Sequence, residues 1–128
     1  MTSEAGAPTL LVVDDEARIL SALRRALARE GWRVVTAGTP AEALRILGEE
    51  PVDAVLSDHK MPRMSGLDVL EAAARLRPHA ARLLISGWPD EIPAERLAAL
   101  GIRALIPKPW DDAELKQVLR SSLPNRSA

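Results

Sequence analysis

The sequence predicts an α/β fold in which five parallel strands alternate with five helices. Three observations predict it. Five short runs rich in Val, Leu and Ile lack polar alternation, the pattern of strands covered on both faces. Between them the apolar residues fall at three-to-four spacing, which suits amphipathic helices. The joints are short and carry caps, glycines and prolines, so each strand and its following helix read as a βα step.

Thr9 to Val13 is the first strand. Spacing turns helical from Glu16, with Ile19, Leu20, Leu23 and Leu27 on one stripe, and Gly31 stops that helix. Trp32 folds back on its end. Arg33 to Ala37 is strand two, and Thr39-Pro40-Ala41-Glu42 is a capping box opening a helix to about Gly48, with Ala43, Leu44 and Leu47 facing the core. Val52 to Ser57 is strand three. Gly66 to about Leu76 is the third helix, carrying Leu67, Val69, Leu70 and Ala73 before Pro78 breaks it. Arg82 to Ile85 is strand four. Gly87, Pro89 and Pro93 then make a long loop before a short helix, Ala94 to Leu100, closed by Gly101. Ile102 to Ile106 is strand five, and Asp111-Asp112-Ala113-Glu114 caps a last helix with Leu115, Val118 and Leu119 inward. Ser121 to Ala128 reads as a fraying end.

The right-handed crossover rule leaves few ways to connect such units. The simplest is the flavodoxin-like (βα)5 doubly wound sandwich with strand order 2-1-3-4-5, which sets strands one and three side by side at the switch point. Ligands of such sheets collect outside the carboxyl ends of the strands. Asp14 and Asp15 follow strand one, Asp58 follows strand three, Ser86 strand four and Lys108 strand five, so all five are expected in one crevice.

Bulk properties bound the function. At 128 residues, 47% hydrophobic and 27% charged, the chain suits one folded domain rather than a disordered or fibrous segment. A net charge of −1 offers no general attraction to nucleic acid or anionic membrane, so neither is expected as a direct partner. The absence of cysteine excludes a disulfide scaffold and a thiolate metal site. With no secretory leader pattern at Met1 to Thr9 and no apolar run of about 18 residues, the expected location is the cytoplasm. The core must be aliphatic, because Trp32, Trp88 and Trp110 are the only aromatics.

Each site residue has an ordinary reading when taken alone. Asp14-Asp15-Glu16 could serve the positive end of a helix, Asp58 could form a turn, and Lys108 between two prolines could be a solvated loop charge. Their convergence on neighbouring strand ends argues otherwise. Two carboxylates about 5 Å apart repel by roughly 3 kcal/mol at an effective dielectric near 20, so three of them invite a cation. Hard oxygen donors without Cys or convergent His suit Mg²⁺; His59 and His79 are too isolated to suggest zinc. A carboxylate beside Mg²⁺, a lysine and a small hydroxyl suits phosphoryl transfer, with Asp58 as nucleophile and Lys108 and Ser86 on the phosphoryl oxygens.

These residues give the chain its resemblance to the response-regulator receiver domain of two-component systems. The motifs are Val13-Asp14-Asp15-Glu16, Ser57-Asp58 with Met61-Pro62 and Gly66, Ile85-Ser86-Gly87, and Pro107-Lys108-Pro109-Trp110, and they span nearly the whole chain. The resemblance implies a receiver over residues 9–123, with flexible tails at 1–8 and 124–128 and no output domain. It implies that Asp58 accepts phosphate from a sensor histidine kinase or phosphotransfer protein. Asp14, Asp15 and Asp58 would hold Mg²⁺ with the Lys60 backbone carbonyl, Ser86 and Lys108 would contact the phosphoryl group, and the Lys108-Pro109 bond would be cis. Catalysis would be limited to the domain's own phosphorylation and dephosphorylation. The output would be read by a downstream protein or a missing output domain, through the face of the fourth helix, fifth strand and last helix, where a homodimer would also form.

The sequence departs from the family pattern in places. Leu105 stands where members usually carry Tyr or Phe, which puts aromatic switching in doubt; Ser65 replaces an acidic or amide residue; Ser86 replaces a frequent threonine but keeps the hydroxyl. Lys60 could influence hydrolysis of the acyl phosphate or be a solvated charge. A flavodoxin-type nucleotide binder is disfavoured, since Asp14-Asp15-Glu16 would repel a phosphate. A haloacid-dehalogenase-like phosphatase would need a different aspartate spacing and a cap. The remaining rival is a degenerate receiver acting as a constitutive interaction module, which Leu105 favours and the intact Asp-Lys set opposes.

Overall fold

The computed structural model describes residues 6–124. Five strands, β1 (Thr9–Val13), β2 (Arg33–Ala37), β3 (Ala54–Asp58), β4 (Ala81–Ser86) and β5 (Ile102–Pro107), form one sheet of order β2-β1-β3-β4-β5, every pairing parallel. Five helices lie between and after them: α1 (Ala17–Leu27), α2 (Pro40–Glu49), α3 (Gly66–Leu76), α4 (Ala94–Ala99) and α5 (Asp112–Ser122). This is the flavodoxin-like arrangement expected from the sequence.

The continuous apolar runs are explained by two cores. Leu11, Val13, Val55 and Leu84 enter one core with Ala43, Ile46 and Leu47 of α2 and Val69, Leu70 and Ala73 of α3. Leu10, Val12, Leu56, Leu83 and Ile85 point the other way, onto Leu23 and Leu27 of α1 and Leu115 and Leu119 of α5. Alternation along each strand thus feeds both layers, and neither face of the sheet stays wet. Trp32 packs against the second core, which includes Leu27 at the end of α1.

Several boundaries differ from the sequence reading. β3 starts at Ala54 rather than Val52 and runs on to include Asp58, because Asp58 stays in register with Ile85. β4 includes Ser86, which pairs with Pro107 of β5. The inward face of α2 is Ala43, Ile46 and Leu47; Leu44 is only half-buried because it lies about 100° around the helix from the centre of that face. Thr39 caps α2 through the Glu42 N–H, yet the Glu42 carboxylate accepts from Gly38 rather than from Thr39. Helix α5 does not fray at Ser121: the Ser121 and Ser122 hydroxyls both donate to the Val118 carbonyl, and Leu123 is buried. Residues 1–5 and 125–128, which include most of both expected tails, lie outside the described residues.

At the amino end of the sheet, arginines bond the carbonyls at helix ends. Arg77 donates to Leu47 O, Arg82 to Leu100 O and Arg103 to Ser121 O, placing positive charge at the negative ends of α2, α4 and α5. Gly101, with φ of 64°, makes room for this, since a Cβ there would lie 2.8 Å from a terminal guanidinium nitrogen of Arg82. The carboxyl end of the sheet is left for the acidic cluster.

Candidate functional site

Pairing in register is what gathers the site. Val13 aligns with Ser57, Asp58 with Ile85, and Ser86 with Pro107, so the strand ends finish at nearly one level. Asp14 stays tied to the sheet through its N–H to Ala37 O at 3.1 Å, which buries its side chain, whereas Asp15 turns outward and is exposed. Asp58 is 6% exposed. Oxygens of the Asp14, Asp15 and Asp58 carboxylates all come within 4.8 Å of one another.

One ammonium bridges two of them. Lys108 Nζ lies 2.9 Å from Asp58 Oδ1 and 3.1 Å from Asp14 Oδ2. Its loop is pinned by the Lys108 N–H to the Ser86 carbonyl at 2.9 Å and contains the cis Lys108-Pro109 bond. Burial, reinforced by the charge of Asp58, holds the Asp14 carboxyl above the usual Asp range; the Glu16 N–H and Lys108 reduce that rise without cancelling it. For Lys108, burial opposes the charged form, but hydrogen bonds to Asp58 and Asp14 and their negative charges outweigh it and raise its pKa. Lys108 therefore offsets the burial of Asp14 only in part, while its own charged form is favoured.

The third helix is built close to Asp58. Ser65 and Asp68 form a capping box: the Ser65 hydroxyl oxygen accepts the Asp68 N–H, and the Asp68 carboxylate accepts the Ser65 N–H. Gly66 donates its N–H to His59 O at 2.8 Å, and a Cβ at Gly66 would collide with the Asp58 carbonyl. Glycine here is a requirement of close backbone approach.

The site opens into a cleft of about 400 Å³ lined by Asp15, Glu16, Asp58, His59, Lys60, Ser86, Gly87, Trp88 and Lys108. Asp14 lies behind it, against Lys108. All the sequence-predicted residues thus converge, although the Lys60 side chain turns away from the carboxylates to Glu91, 3.0 Å away, and to the Trp88 ring, 4.3 Å from its centroid. Ser86 Oγ accepts the Trp88 N–H at 2.9 Å and meets His59 Nδ1 at 3.4 Å. Sequence reasoning missed His59 and Glu91. His59 was legible only through its place beside Asp58, and Glu91, at the end of the 3-10 turn Pro89–Glu91, meets the site only through its ion pair with Lys60.

The donor set fits a hard divalent cation: three converging carboxylates, one of them disfavoured in its charged form by burial, are offset by one ammonium. Among the described residues, every buried side-chain N or O has a hydrogen-bond partner. No helix among them is long and apolar enough to cross a membrane.

Comparison with known proteins agrees with this fold. The family described as the response regulator receiver domain matches residues 10–120. The chain is 38% identical over 116 residues to the hydrogenase transcriptional regulatory protein HoxA of Bradyrhizobium diazoefficiens, covering 90% of this chain and 24% of that protein. It is 36% identical over 119 residues to the transcriptional regulatory protein KdpE of Mycobacterium tuberculosis, covering 93% and 52%. The chain therefore spans about a quarter to a half of these relatives. Among solved structures, the signal receiver domain of an HD domain-containing protein from Pseudomonas fluorescens Pf-5 superposes with a TM-score of 0.85 at 32% identity, covering 91% of this chain and 94% of that one. A CheY-like receiver domain protein from Methanospirillum hungatei gives 0.82 at 30% identity, covering 90% and 92%.

Proposed function

The chain belongs to the response regulator receiver domain family, and from that premise we propose that Asp58 is its phosphoacceptor. The observation that carries the proposal is the Lys108 ammonium held 2.9 Å from Asp58 Oδ1 at the mouth of an acidic cleft. A carboxylate oxygen of Asp58 bonds to phosphorus as the P–N bond of a donor phosphohistidine breaks, and the electron pair leaves with the imidazole. Lys108 neutralises a phosphoryl oxygen during this transfer, and the Ser86 hydroxyl donates to another. Asp14, Asp15, Asp58 and the Lys60 backbone carbonyl would hold Mg²⁺, which when bound supplies charge neutralisation at the phosphoryl oxygens. Return to the carboxylate is hydrolysis of the acyl phosphate, so the domain turns over only its own modification.

The donor is a sensor histidine kinase or a phosphotransfer protein in the cytoplasm. The output is a shift in conformation read by a partner protein or an output domain at the face of α4, β5 and α5, which is also the surface for a homodimer. Leu105 favours a second reading, a degenerate receiver serving as a constitutive interaction module, because a half-buried leucine packed on the core has no ring to reorient. One experiment separates them. Incubation with acetyl phosphate and Mg²⁺ followed by intact-mass spectrometry should add one phosphate to the wild type and none to Asp58→Asn. An unlabelled wild type supports the constitutive module; full labelling of Asp58→Asn removes the assignment of Asp58.

A further inference from the structure

Sulfur is confined to few places in this chain. There is no cysteine, and of the three methionines Met1 is the first residue while Met61 and Met64 both fall in the loop between Asp58 and α3. That loop closes on itself through the Gly66 N–H to His59 O bond at 2.8 Å. Both thioether side chains are half-buried and pack against the first core, while Pro62 and Arg63 between them are exposed. Among the described residues, none of the backbone hydrogen bonds outside helices and strands involves residues 61–64, so apolar contact is what seats this stretch.

The stretch is seated under strain. Arg63 is the one non-glycine among the described residues with a positive φ, 74°, a left-handed conformation unfavourable for a residue with a Cβ. Such a backbone persists only while its surroundings hold it, and Met61 and Met64 hold it from either side. The same loop carries the Lys60 carbonyl proposed as a Mg²⁺ ligand. Its last residues, Ser65 and Gly66, open α3 in close contact with the Asp58 carbonyl. Whatever unseats the two methionines therefore reaches both the cation site and Asp58.

We propose that Met61 and Met64 form an oxidation site through which peroxides slow phosphoryl transfer at Asp58. The thioether sulfur attacks one oxygen of hydrogen peroxide, the O–O bond breaks, and after proton transfer water leaves; the sulfide is oxidised to a sulfoxide and the peroxide is reduced to water. A flexible apolar side chain thereby becomes a polar one whose oxygen needs a hydrogen-bond donor. The core it packs against is wholly aliphatic. The sulfoxide therefore moves to water, Arg63 relaxes from its left-handed backbone, and the Lys60 carbonyl is no longer held. With no thiol in the chain, reversible two-electron oxidation has these thioethers to act on in place of cysteine. The effect on transfer rests on the reading of Asp58 as phosphoacceptor; the unseating of the loop does not.

The test treats the full chain with hydrogen peroxide, maps the oxidised positions by peptide mass spectrometry, which separates Met1 from the other two, and then labels the protein with acetyl phosphate and Mg²⁺. Oxygen should appear on Met61 and Met64 of the folded wild type. Labelling should slow by about tenfold or more, the lower range for disturbing the support of a metal ligand, and the melting temperature without Mg²⁺ should fall. Methionine sulfoxide reductases should restore both. The double variant Met61→Leu with Met64→Leu, a volume-conserving change, should label and melt like untreated wild type before and after peroxide. Where the double variant does not fold, the single variants replace it, each taking up one oxygen fewer and losing part of the slowing. The proposal is overturned if the two methionines resist peroxide in the folded chain under conditions that oxidise a short methionine peptide. It is equally overturned if their sulfoxides leave the labelling rate within about twofold of the untreated protein; in either case Asp58 stands as the phosphoacceptor. If untreated wild type does not label, the phosphoacceptor falls and the coupling to transfer with it, while a peroxide-dependent melting shift that the leucine variants lack still supports the oxidation site.

Discussion

The Lys108 ammonium and the Asp58 carboxylate come from non-adjacent strands, β5 and β3, and meet at 2.9 Å because β4 between them keeps both strand ends in register. The same ammonium reaches Asp14 at 3.1 Å, so one cation is shared by the nucleophile and a proposed metal ligand. Replacing Lys108 with alanine removes both contacts and the only ammonium lining the cleft besides Lys60. Loss of one preorganised charge at the transferring group costs about 100-fold in rate or more. Labelling of Lys108→Ala by acetyl phosphate, followed by intact mass over time, should slow by about that factor. A rate within twofold of wild type would show that Lys108 does not act on the phosphoryl group.

Gly66 offers a backbone test of the same site. An added Cβ would run into the Asp58 carbonyl, and the surrounding core is closed by Val69, Leu70 and Ala73. Either α3 or the end of β3 must shift. Gly66→Ala should destabilise the fold by about 1–3 kcal/mol, the range for overpacking a filled site, and should slow labelling because Asp58 itself is displaced. Urea midpoints and labelling rates measure the two effects, and a variant with wild-type stability would mean that the approach is looser than described.

Much of the site was legible because its residues punctuate apolar runs. Asp14, Asp58 and Lys108 each follow such a run, and parallel topology alone brings their strand ends together. Continued pairing was less visible: nothing in Ser57-Asp58 or Ile85-Ser86 marks whether the ladder stops before the polar residue or includes it. The face of α2 was ambiguous, since Leu44 and Ile46 both belong to apolar spacings and only the packing against Leu11 and Val55 selects Ile46. His59 was set aside because a lone histidine has no sequence partner, and Ser86 becomes its neighbour only through strand pairing. Glu91 lies far from Lys60 in sequence, so their ion pair had no local signal.

Away from the cleft, Arg120 joins α5 to the end of α1 by two hydrogen bonds to Glu30, at 2.7 and 2.9 Å. The hydrogen bond from Arg120 lowers the Glu30 pKa against a smaller effect of burial. A carboxyl with a lowered folded pKa stabilises the fold above its unfolded value near 4.5 and loses that contribution as pH falls through the folded value. Glu30→Gln should therefore melt below wild type at pH 7, and the gap should close under acidic conditions. An equal gap at both pH values would assign the loss to packing rather than charge.

Crowding of carboxylates gives the cleft the opposite pH response. Asp14 has a folded pKa raised chiefly by burial, so the folded state binds its proton more tightly than the unfolded state does. Its contribution to stability consequently improves as pH falls from the raised value towards the unfolded value of 3.8, and it is fully present below that. Lys108, also raised, keeps its contribution below 10.5 and loses it only as pH rises through its folded value, so it does not change between pH 5 and 7. A divalent cation at Asp14, Asp15 and Asp58 should relieve the same strain that protonation relieves, and the two compete for the same oxygens. At tenfold excess over its dissociation constant, Mg²⁺ should add roughly 1.4 kcal/mol at pH 7 by mass action, and less at pH 5. Thermal melts at the two pH values, with and without Mg²⁺, measure both effects. Asp15→Ala should lose most of the Mg²⁺ shift while melting normally without it, because Asp15 is exposed and has no buried bond to lose. A shift in Asp15→Ala equal to wild type would place the cation elsewhere and leave the three carboxylates without a common ligand.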